Sequence, residues 1–451
     1  MIRAVAAGHP ATAEAGAEIL ADGGSAADAA VAACLTSCVA ETIMTGLLGG
    51  GHAVYFDAGS GEARALDCFV AVPSGTGLPM DELVVPFGEE FVHYAVGASS
   101  CAVPGLPAGL DLLWRTYGRL PWPRLVEPAL RVARSGVQLT AAHATCLAML
   151  APVMTMREGA DIYSPGGLLL EEGGLLEQPG LVRALALVRD EGAATVYRGS
   201  IAEELLALVG EREGALTRAD LEGYAARWAE WCETPFAGRR IVARAGLNSP
   251  HDALGRLDPA GGDEALLAAL DGGAPGDGDT TNLTVVDAEG SACVLTTSLG
   301  LGSGDWLPGL DLHLNSMLGE VDLVRAPLVP GNRMESMMSP TLVFEADGLE
   351  LALGAAGGSR LRTALVGVLA SVLHSGLPPQ DAIERPRFHP AGEVVNAEPG
   401  VDESFLSRLE SGGRPVRRWP ARHHYFGGVS AVGRTGAGAD PRRSGAVSIV
   451  G

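Results

Sequence analysis

Apolar and polar positions recur along the chain with two periods, and these periods predict helices and strands in both halves. Ser25 followed by Asp28 is a capping-box-like helix start, and the Ala, Val and Leu run to Ala40 predicts a buried helix. His52 to Asp57 alternates as a strand does. Further helices are predicted at 106–117, 122–135, 140–151, 181–190, 201–210, 218–227 and 361–375, and further strands at 241–244, 341–344 and 349–353. Helix-rich stretches beside strands indicate a layered α/β design.

A hairpin is predicted in the second half of the chain. Leu283–Val286 and Ala292–Ser298 have strand composition, and Asp287–Gly290 between them has the composition of a turn. Folding the two strands about this turn places Thr280 roughly opposite Thr297–Ser298.

Thr280 itself is a candidate nucleophile, because it stands where a loop ends and a strand begins. The preceding segment, 259–279, is small, acidic and glycine-rich, as a surface loop would be. A threonine hydroxyl is a poor nucleophile without a base beside it. Cutting the chain between Asp279 and Thr280 would supply one, since a free α-amine titrates near neutrality. The alternative is an ordinary threonine at a strand start.

A glycine-rich loop, Gly354–Gly358, joins the strand at 349–353 to a helix that begins near Leu361. Residues without side chains at a helix N-terminus can direct several amides at one anion, such as a developing oxyanion. A phosphate-binding loop is the rival, but its Gly-Lys-Ser/Thr ending is missing. A simple tight turn stays open as a third interpretation.

Composition limits the classes of function. The 451 residues are 47% hydrophobic and 19% charged, which is ample for a large core and excludes disorder. The net charge of −22 argues against nucleic-acid and anionic-membrane partners. No apolar run reaches transmembrane length. A small-molecule substrate is therefore expected.

Neither a metal nor another cofactor is expected. The seven cysteines are scattered, and Cys34 and Cys38 share a helix-face spacing that favours buried free thiols over a disulfide or a metal site. His423–His424 lacks a third ligand in the sequence and is predicted to lie in a surface loop.

Short motifs follow one another in a fixed order over nearly the whole chain. They are Gly8–Pro10, Ala13–Gly16, Gly23–Ala32, Thr45–Gly51, Val103–Gly105, Tyr117–Pro121, Met338–Thr341, Gly354–Arg360, Pro386–His389 and Asp440–Arg442. With the segment around Thr280, they resemble the γ-glutamyltranspeptidases, N-terminal-nucleophile hydrolases that cleave themselves before such a threonine.

The resemblance implies an α/β (α+β) fold, a four-layer αββα sandwich with two stacked β-sheets. It implies cleavage between Asp279 and Thr280 into a large-subunit-like segment, 1–279, and a small-subunit-like segment, 280–451, which stay together as one intertwined globular unit. Whether two such units pair is open. Many relatives are exported, but the family's opening begins almost at Met1 here, which predicts a cytoplasmic protein.

The resemblance also assigns catalytic roles. Thr280 would be the nucleophile, and Ser298 matches a family threonine on the opposite strand that orients it. Thr296, on the same strand face, is a weaker second candidate. The N–H groups of Gly357 and Gly358 would hold the oxyanion.

The substrate pocket departs from the family pattern. Phe69 stands where the family has the arginine that holds the substrate α-carboxylate, and Gly300 replaces an asparagine. In the stretch that binds the α-amine, Ser316 replaces a glutamine and Gly319 an aspartate. Ser336 and Met337 match two consecutive serines of the family, and Met337 replaces the second of them.

These departures predict a changed substrate. A bidentate guanidinium–carboxylate contact is strong, and a zwitterion left unpaired in a buried site loses much of its binding energy. The pocket is therefore predicted to take a more apolar acyl group, or one recognised differently. The alternative is a compensating arginine elsewhere, such as Arg333 or Arg360.

The sequence thus predicts a self-processing N-terminal threonine hydrolase or acyltransferase, which acts on an amide or related carbonyl in specialised metabolism. Three alternatives remain. They are an authentic γ-glutamyltransferase or glutathione hydrolase, a C–C bond hydrolase in specialised-metabolite biosynthesis, and an uncleaved, non-catalytic homologue. The segment before Thr280 is shorter than in relatives, which slightly favours the last.

Overall fold

The computed structural model of the chain describes residues 1–87, 90–244, 246–247, 249–273 and 280–451. Its helices are α1 Pro10–Ala21, α2 Ala26–Ala40, α3 Leu106–Tyr117, α4 Trp122–Ser135, α5 Ala141–Met154, α6 Gly159–Tyr163, α7 Pro179–Glu191, α8 Thr195–Arg198, α9 Ser200–Glu211, α10 Arg218–Gly223, α11 Pro250–Arg256, α12 Gly262–Leu270, α13 Arg360–Leu373, α14 Pro379–Glu384 and α15 Glu403–Ser411.

The strands of the first half are β1 Ala4–Ala7, β2 Gly50–Asp57, β3 Glu62–Cys68, β4 Asp81–Phe87, β5 Glu90–Val96, β6 Val137–Gln138, β7 Leu175–Leu176, β8 Arg227–Ala229, β9 Cys232–Phe236 and β10 Arg239–Ala243. Those of the second half are β11 Thr281–Val286, β12 Ala292–Ser298, β13 Trp306–Leu307, β14 Leu312–His313, β15 Thr341–Glu345, β16 Gly348–Ala356, β17 Phe388–Ala391, β18 Val394–Ala397, β19 Val416–Arg418, β20 Gly428–Gly433, β21 Ala437–Ala439 and β22 Ala446–Ile449.

Two large antiparallel sheets form the centre of the molecule. The seven-stranded sheet has the order β22-β1-β11-β12-β2-β3-β8, and the six-stranded sheet has the order β21-β20-β16-β15-β10-β9. Both sheets contain strands from before and after Thr280. The two halves of the chain are therefore interleaved.

Three apolar layers hold the sheets and helices together. The first lies between α2 and its neighbouring helices and the seven-stranded sheet, the second between the two sheets, and the third between the six-stranded sheet and α13. Because successive side chains of a strand point to opposite faces, β12 sends Cys293 and Leu295 to α2 and Val294 to the other sheet. The architecture is the four-layer αββα sandwich that the resemblance implied.

Local signals in the sequence form the expected elements. Ser25 caps α2, and a reciprocal bond from the Asp28 side chain completes a capping box. The predicted hairpin is β11 and β12, with Thr281 opposite Thr297, so Thr280 lies across from Ser298. Within the described part of the chain, no helix has both the length and the apolar character needed to cross a bilayer.

Three predictions are wrong. The helix predicted at 218–227 ends at Gly223, and β8 then pairs with β3. Part of the loop predicted at 259–279 is α12, because packing buries its Leu267 and Leu270. His424 is buried within a cluster of aromatic side chains rather than exposed, since its turn packs inward.

Candidate active site

The strand ends of both sheets meet along one edge of the sandwich, and the candidate catalytic residues lie there. The residues that mark this edge are Thr281, Ser298, Gly50 and Cys68 in the seven-stranded sheet and Ala356, Gly428, Thr341 and Ala243 in the six-stranded sheet. Side chains from residues distant in sequence therefore face one another across the gap between the sheets.

Thr280 immediately precedes β11 and is buried, with 7% of its surface exposed. The backbone N–H of Gly357 donates a hydrogen bond of 2.7 Å to its Oγ1. Asp279, the other half of the predicted cleavage site, lies outside the described residues.

The turn after β16 explains why an amide reaches Thr280. Gly357 has φ +118° and Gly358 has φ +57°, in the left-handed region that favours glycine. A Cβ on Gly357 would also lie 2.9 Å from the Cα of Gly427. The chain turns sharply here before α13 begins, which directs the Gly357 N–H at the nucleophile.

Ser298 lies across the ladder from Thr280 and is buried. Its Oγ accepts a hydrogen bond of 2.9 Å from the N–H of Gly300. The chain that enters β2 packs closely against this position, because a Cβ on Gly49 would lie 2.2 Å from the Ser298 carbonyl oxygen. The Gly49–Gly51 run is thus required by packing beside the candidate site.

Thr296 shares the strand face of Ser298 but is fully buried. Its Oγ1 lies 2.7 Å from the side-chain amide of Asn282 on β11. A Cβ on Gly354 would lie 2.1 Å from that amide, so the two sheets are in close contact here. Thr296 thus contributes to the packing between the sheets beneath the site.

Phe69 is buried and stacks on His52, with ring centroids 5.4 Å apart. Its side chain belongs to an apolar group that we call the Phe69 cluster. The members are Phe69, Val70, Val72, Ala102, Met317, Leu318, Met334 and Met338. The place where the family has its carboxylate-binding arginine is therefore apolar in this chain.

Ser316 and Gly300 are adjacent in space. The Ser316 Oγ accepts hydrogen bonds from the N–H groups of Leu301, at 3.1 Å, and Gly302, at 3.0 Å. Gly300 has φ +73°, and a Cβ there would lie 2.5 Å from Oε1 of Glu320. The asparagine of the family therefore has no room at Gly300.

Glu320 is a buried carboxylate that the sequence reasoning missed. Its Oε1 accepts a hydrogen bond of 2.9 Å from the Leu301 N–H. Glu320 directly follows Gly319, the last residue of the stretch that resembles the family's α-amine-binding segment. A carboxylate one position after the missing aspartate is the feature of the sequence that could have identified it.

Ser336 and Met337 are both buried. The Ser336 Oγ accepts a hydrogen bond of 3.3 Å from the N–H of Met338. Its carbonyl oxygen accepts from Arg244, at 3.3 Å, and from the N–H of Leu247, at 3.1 Å. Ser336 therefore lies between the Phe69 cluster and an arginine that the sequence reasoning had not singled out.

Glu41, at the end of α2, was also missed. It accepts a hydrogen bond of 2.6 Å from Thr12 and a second from the hydroxyl of Thr281. Burial raises the pKa of the Glu41 carboxyl, while these two bonds and the charge of Arg443 lower it. A Cβ on Gly8 would lie 2.5 Å from Oε2 of Glu41, which explains the glycine of that motif.

A small cavity adjoins Thr280 on this side. Its volume of about 10 Å³ is close to the space that one water molecule needs. Its polar lining includes Glu41, His143, Thr281 and Arg443. Glu41 therefore fixes the start of β11 and contributes to the immediate environment of the nucleophile.

The two arginines proposed as substitutes for the family arginine occupy different places. The guanidinium of Arg360 donates to the Tyr425 carbonyl at 3.2 Å and lies 5.0 Å from the Tyr425 ring centroid. Arg333 lies beside Phe69, because its neighbour Met334 donates a backbone hydrogen bond of 3.1 Å to Val70.

The fold and these residues define a class of protein. The model of the gamma-glutamyltranspeptidase family matches residues 12–253 and 261–450, and the chain belongs to that family. It is a γ-glutamyltransferase-like enzyme of the N-terminal-nucleophile hydrolase class.

Known proteins of this kind resemble it over most of their length. An acylase ACY 1 proenzyme from Pseudomonas sp. (strain V22) is 26% identical over 95% of this chain and 89% of its own. A glutathione hydrolase proenzyme from Bacillus subtilis (strain 168) is 24% identical over 91% of this chain and 84% of its own. The structure of a cephalosporin acylase from Bacillus halodurans superposes with a TM-score of 0.83 over 99% of this chain and 95% of that one, at 22% identity. The similarity to the cephalosporin acylase structure shows that the two proteins share a fold.

Proposed function

We propose that the chain cleaves itself before Thr280 and then acts as an N-terminal threonine hydrolase or acyltransferase. The observation that carries this proposal is the 2.7 Å hydrogen bond from the Gly357 N–H to Oγ1 of Thr280, with Ser298 across the ladder. The proenzyme names of the acylase and glutathione hydrolase relatives support it.

The roles follow from the chemistry of each group. The Thr280 α-amine, once free, takes the proton of Oγ1, which bonds to the substrate carbonyl carbon. The N–H groups of Gly357 and Gly358 stabilise the negative charge on the carbonyl oxygen. The leaving group departs with the proton, and water or an amine then releases the acyl group from Thr280. Ser298 orients the nucleophile.

The acyl group is one that suits the Phe69 cluster. Phe69 and Leu318 offer no hydrogen bond to a zwitterion, and a charged group buried without a partner is unfavourable. We therefore propose an acyl group with an apolar portion beside Thr280, rather than an ordinary γ-glutamyl group. A cytoplasmic location, a specialised-metabolite substrate and the pairing of two processed units stay predictions.

The first experiment is the intact mass of the purified protein. Self-cleavage gives fragments of 279 and 172 residues, the smaller beginning with Thr280. Thr280→Ala is expected to stay as one chain, while Thr280→Ser retains a hydroxyl and is expected to cleave. Thr116→Ala is the control, because it removes an exposed threonine hydroxyl on α3 that donates to the Leu112 carbonyl oxygen, and it is expected to cleave as wild type does. A wild-type chain that stays intact on long incubation contradicts the proposal and favours a non-catalytic homologue.

Substrate panels separate the remaining alternatives. Turnover of a γ-glutamyl chromogenic amide above that of simple acyl amides would indicate an authentic γ-glutamyltransferase. Processed enzyme that cleaves no amide but hydrolyses a β-diketone would indicate a C–C bond hydrolase.

A further inference from the structure

Glu41 is a buried carboxylate to which the proposed reaction assigns no role. It is the C-cap residue of α2, where its N–H donates to the Ser37 carbonyl oxygen at 2.8 Å. The C-terminal end of a helix carries partial negative charge, which disfavours a carboxylate, and 2% exposure removes the water that would solvate one. The stability of α2 therefore does not account for an acid at this position.

The side chain of Glu41 has two hydroxyl partners. Thr12 of α1 donates to Oε1 at 2.6 Å, and Thr281 of β11 donates to Oε2. A Cβ on Gly8 would lie 2.5 Å from Oε2 of Glu41 and 2.8 Å from the Thr281 hydroxyl, so the backbone of Gly8 lies against this bond. The two carboxylate oxygens accept from both donors at once, and bonds of this kind are among the stronger hydrogen bonds.

The bond to Glu41 holds the part of β11 that lies beyond the ladder with β1. That ladder ends with Ala7 opposite Leu283, whereas the ladder with β12 continues to Thr281 opposite Thr297. After Ala7 the chain of β1 passes into α1. On this side of β11, Thr281 is therefore held by the side chain of Glu41 in place of a neighbouring strand.

Self-cleavage would make Thr280 a chain terminus. Chain ends fray, because they are tethered on one side alone. Thr280 must nevertheless keep Oγ1 at the Gly357 amide, 2.7 Å away, and a displacement of about 1 Å at a reacting group costs about 100-fold in rate. Thr281 is the residue next to the terminus, so a fixed Thr281 hydroxyl limits the freedom of Thr280.

We propose that Glu41 is a positioning residue which, through the hydroxyl of Thr281, holds the new N-terminus at the Gly357 amide after the chain is cut. Before the cut, the preceding peptide bond also restrains Thr280, so self-cleavage depends on Glu41 less than turnover does. After the cut, the bond between Glu41 and Thr281 provides that restraint. This inference rests on the proposed function, since it concerns the N-terminus that self-cleavage forms.

The chain contains no lysine, which permits a direct test. After processing, the α-amine of Thr280 is the only primary amine of the smaller fragment, and that of Met1 is the only one of the larger. Cyanate carbamylates such amines, and intact mass reports each fragment separately. In wild type the Thr280 amine is expected to react about tenfold more slowly than that of Met1, because Thr280 is 7% exposed and Met1 is 37% exposed.

Two variants break the bond from either side. Thr281→Val removes the hydroxyl and Glu41→Met removes its acceptor, and both are expected to raise the carbamylation rate of Thr280 by about tenfold. They are also expected to lower kcat on the 4-nitroanilide of hexanoic acid by about 10- to 100-fold with little change in KM. Thr281→Ser retains the hydroxyl and is expected to match wild type. The double variant is expected to be no worse than either single variant, because both changes break the same bond.

Thr36→Val is the matched control. Thr36 is a buried threonine of α2 whose hydroxyl donates to the Ala32 carbonyl oxygen at 2.8 Å, so the variant loses a buried hydroxyl but retains Glu41 and its partners. Both of its rates are expected to match those of wild type. Unchanged carbamylation in Thr281→Val and Glu41→Met, or a self-cleavage rate that falls as far as kcat does, would overturn the proposal.

Intact mass separates this inference from the proposed function. A wild-type chain that stays whole overturns both, because the N-terminus on which they depend is not formed. A chain that cleaves itself and turns over the anilide, but whose Thr281→Val variant reacts with cyanate as wild type does, supports the proposed function and refutes the role of Glu41.

Discussion

The N–H of Gly357 lies 2.7 Å from Oγ1 of Thr280, across the gap between the two central sheets. Gly357 directly follows β16, and Thr280 directly precedes β11, so the contact exists because these two strands stack. A donor held this close to the hydroxyl of Thr280 is well placed to act on an oxyanion that forms on the attacked carbonyl.

Gly357→Ala is expected to lower kcat of the processed enzyme by about 100- to 1,000-fold, the effect typical of losing an oxyanion donor. The added Cβ lies too close to Gly427, and φ +118° strains any other residue, so the amide moves away from Thr280. Steady-state kinetics on a chromogenic amide measures this loss. Gly376→Ala is the control, since Gly376 also has positive φ but a Cβ there meets nothing within 4 Å. Equal losses in both variants would show that backbone strain, not the amide, is responsible.

Ser298→Ala is expected to slow self-cleavage and turnover by about 10- to 100-fold, because small displacements of a nucleophile are costly. The change also leaves the Gly300 N–H without its 2.9 Å acceptor. Time courses of the two fragments on denaturing gels measure cleavage. Ser298→Thr retains the hydroxyl and is expected to restore both rates, and its failure to do so would assign Ser298 a packing role.

Phe69→Arg is expected to lower the melting temperature without creating γ-glutamyl transfer. A guanidinium at this buried position would lie beside His52 and the charges of Arg244 and Arg333. The nearby carboxylate of Asp67 already pairs with Arg227, at 3.1 Å, and Arg333, at 3.5 Å. Like charges in a poorly solvated place repel strongly. Thermal unfolding and turnover of a γ-glutamyl anilide measure both effects. Phe69→Leu is the control that keeps the site apolar, and a gain of γ-glutamyl activity in the arginine variant would show that the pocket is less altered than proposed.

Glu41→Gln is expected to change the pH dependence of stability. Burial raises the folded-state pKa of Glu41, so the folded chain binds a proton more tightly than the unfolded chain. The contribution of Glu41 to the free energy of unfolding is then largest below its ordinary pKa and falls as pH rises through the folded-state value. Glutamine does not titrate and removes this decline. Urea unfolding of both proteins between about pH 4 and pH 8 measures the difference. If the free energy of unfolding changes with pH in the same way in both proteins, the raised pKa of Glu41 is contradicted.

Asp440→Ala is expected to destabilise the fold by about 3–5 kcal/mol, because it leaves the buried Arg387 guanidinium without its carboxylate, while Arg442 keeps its contact with Glu398. Asp440 contacts Arg387 at 2.6 Å and Arg442 at 3.1 Å, and all three are buried. Burial raises the pKa of Asp440, but these two arginines outweigh it and hold the pKa below its ordinary value. Urea unfolding measures the loss. Asp347→Ala removes an exposed partner of Arg434 and is expected to change little. A similar small effect at both positions would contradict the structural role.

The contacts of Asp440 also explain two of the family motifs. Pro386–His389 and Asp440–Arg442 meet through Arg387 and Asp440, and the Asp440 carboxylate also accepts from the Val429 N–H at 3.1 Å. These motifs are thus a structural support for β20, close to Thr280 but not part of the candidate catalytic group.

The sequence by itself determined the elements whose signals are local. Ser25 and Asp28 are three residues apart, and the turn between β11 and β12 is short, so a cap and a ladder register follow from neighbours in the chain. The opposition of Thr280 and Ser298 was therefore predictable, as were α3 and α4 to the residue.

Only the tertiary structure decided which distant groups meet at the site. Gly357 is 77 residues from Thr280, and Glu41 is 240 residues from Thr281. The position of Arg244 beside Ser336 depends on how the six-stranded sheet stacks on the other sheet. Periodicity records which face of an element is apolar, but not which residue of another element covers that face. The partners of Thr280, and the position of Arg333 beside Phe69, therefore became visible only in the folded chain.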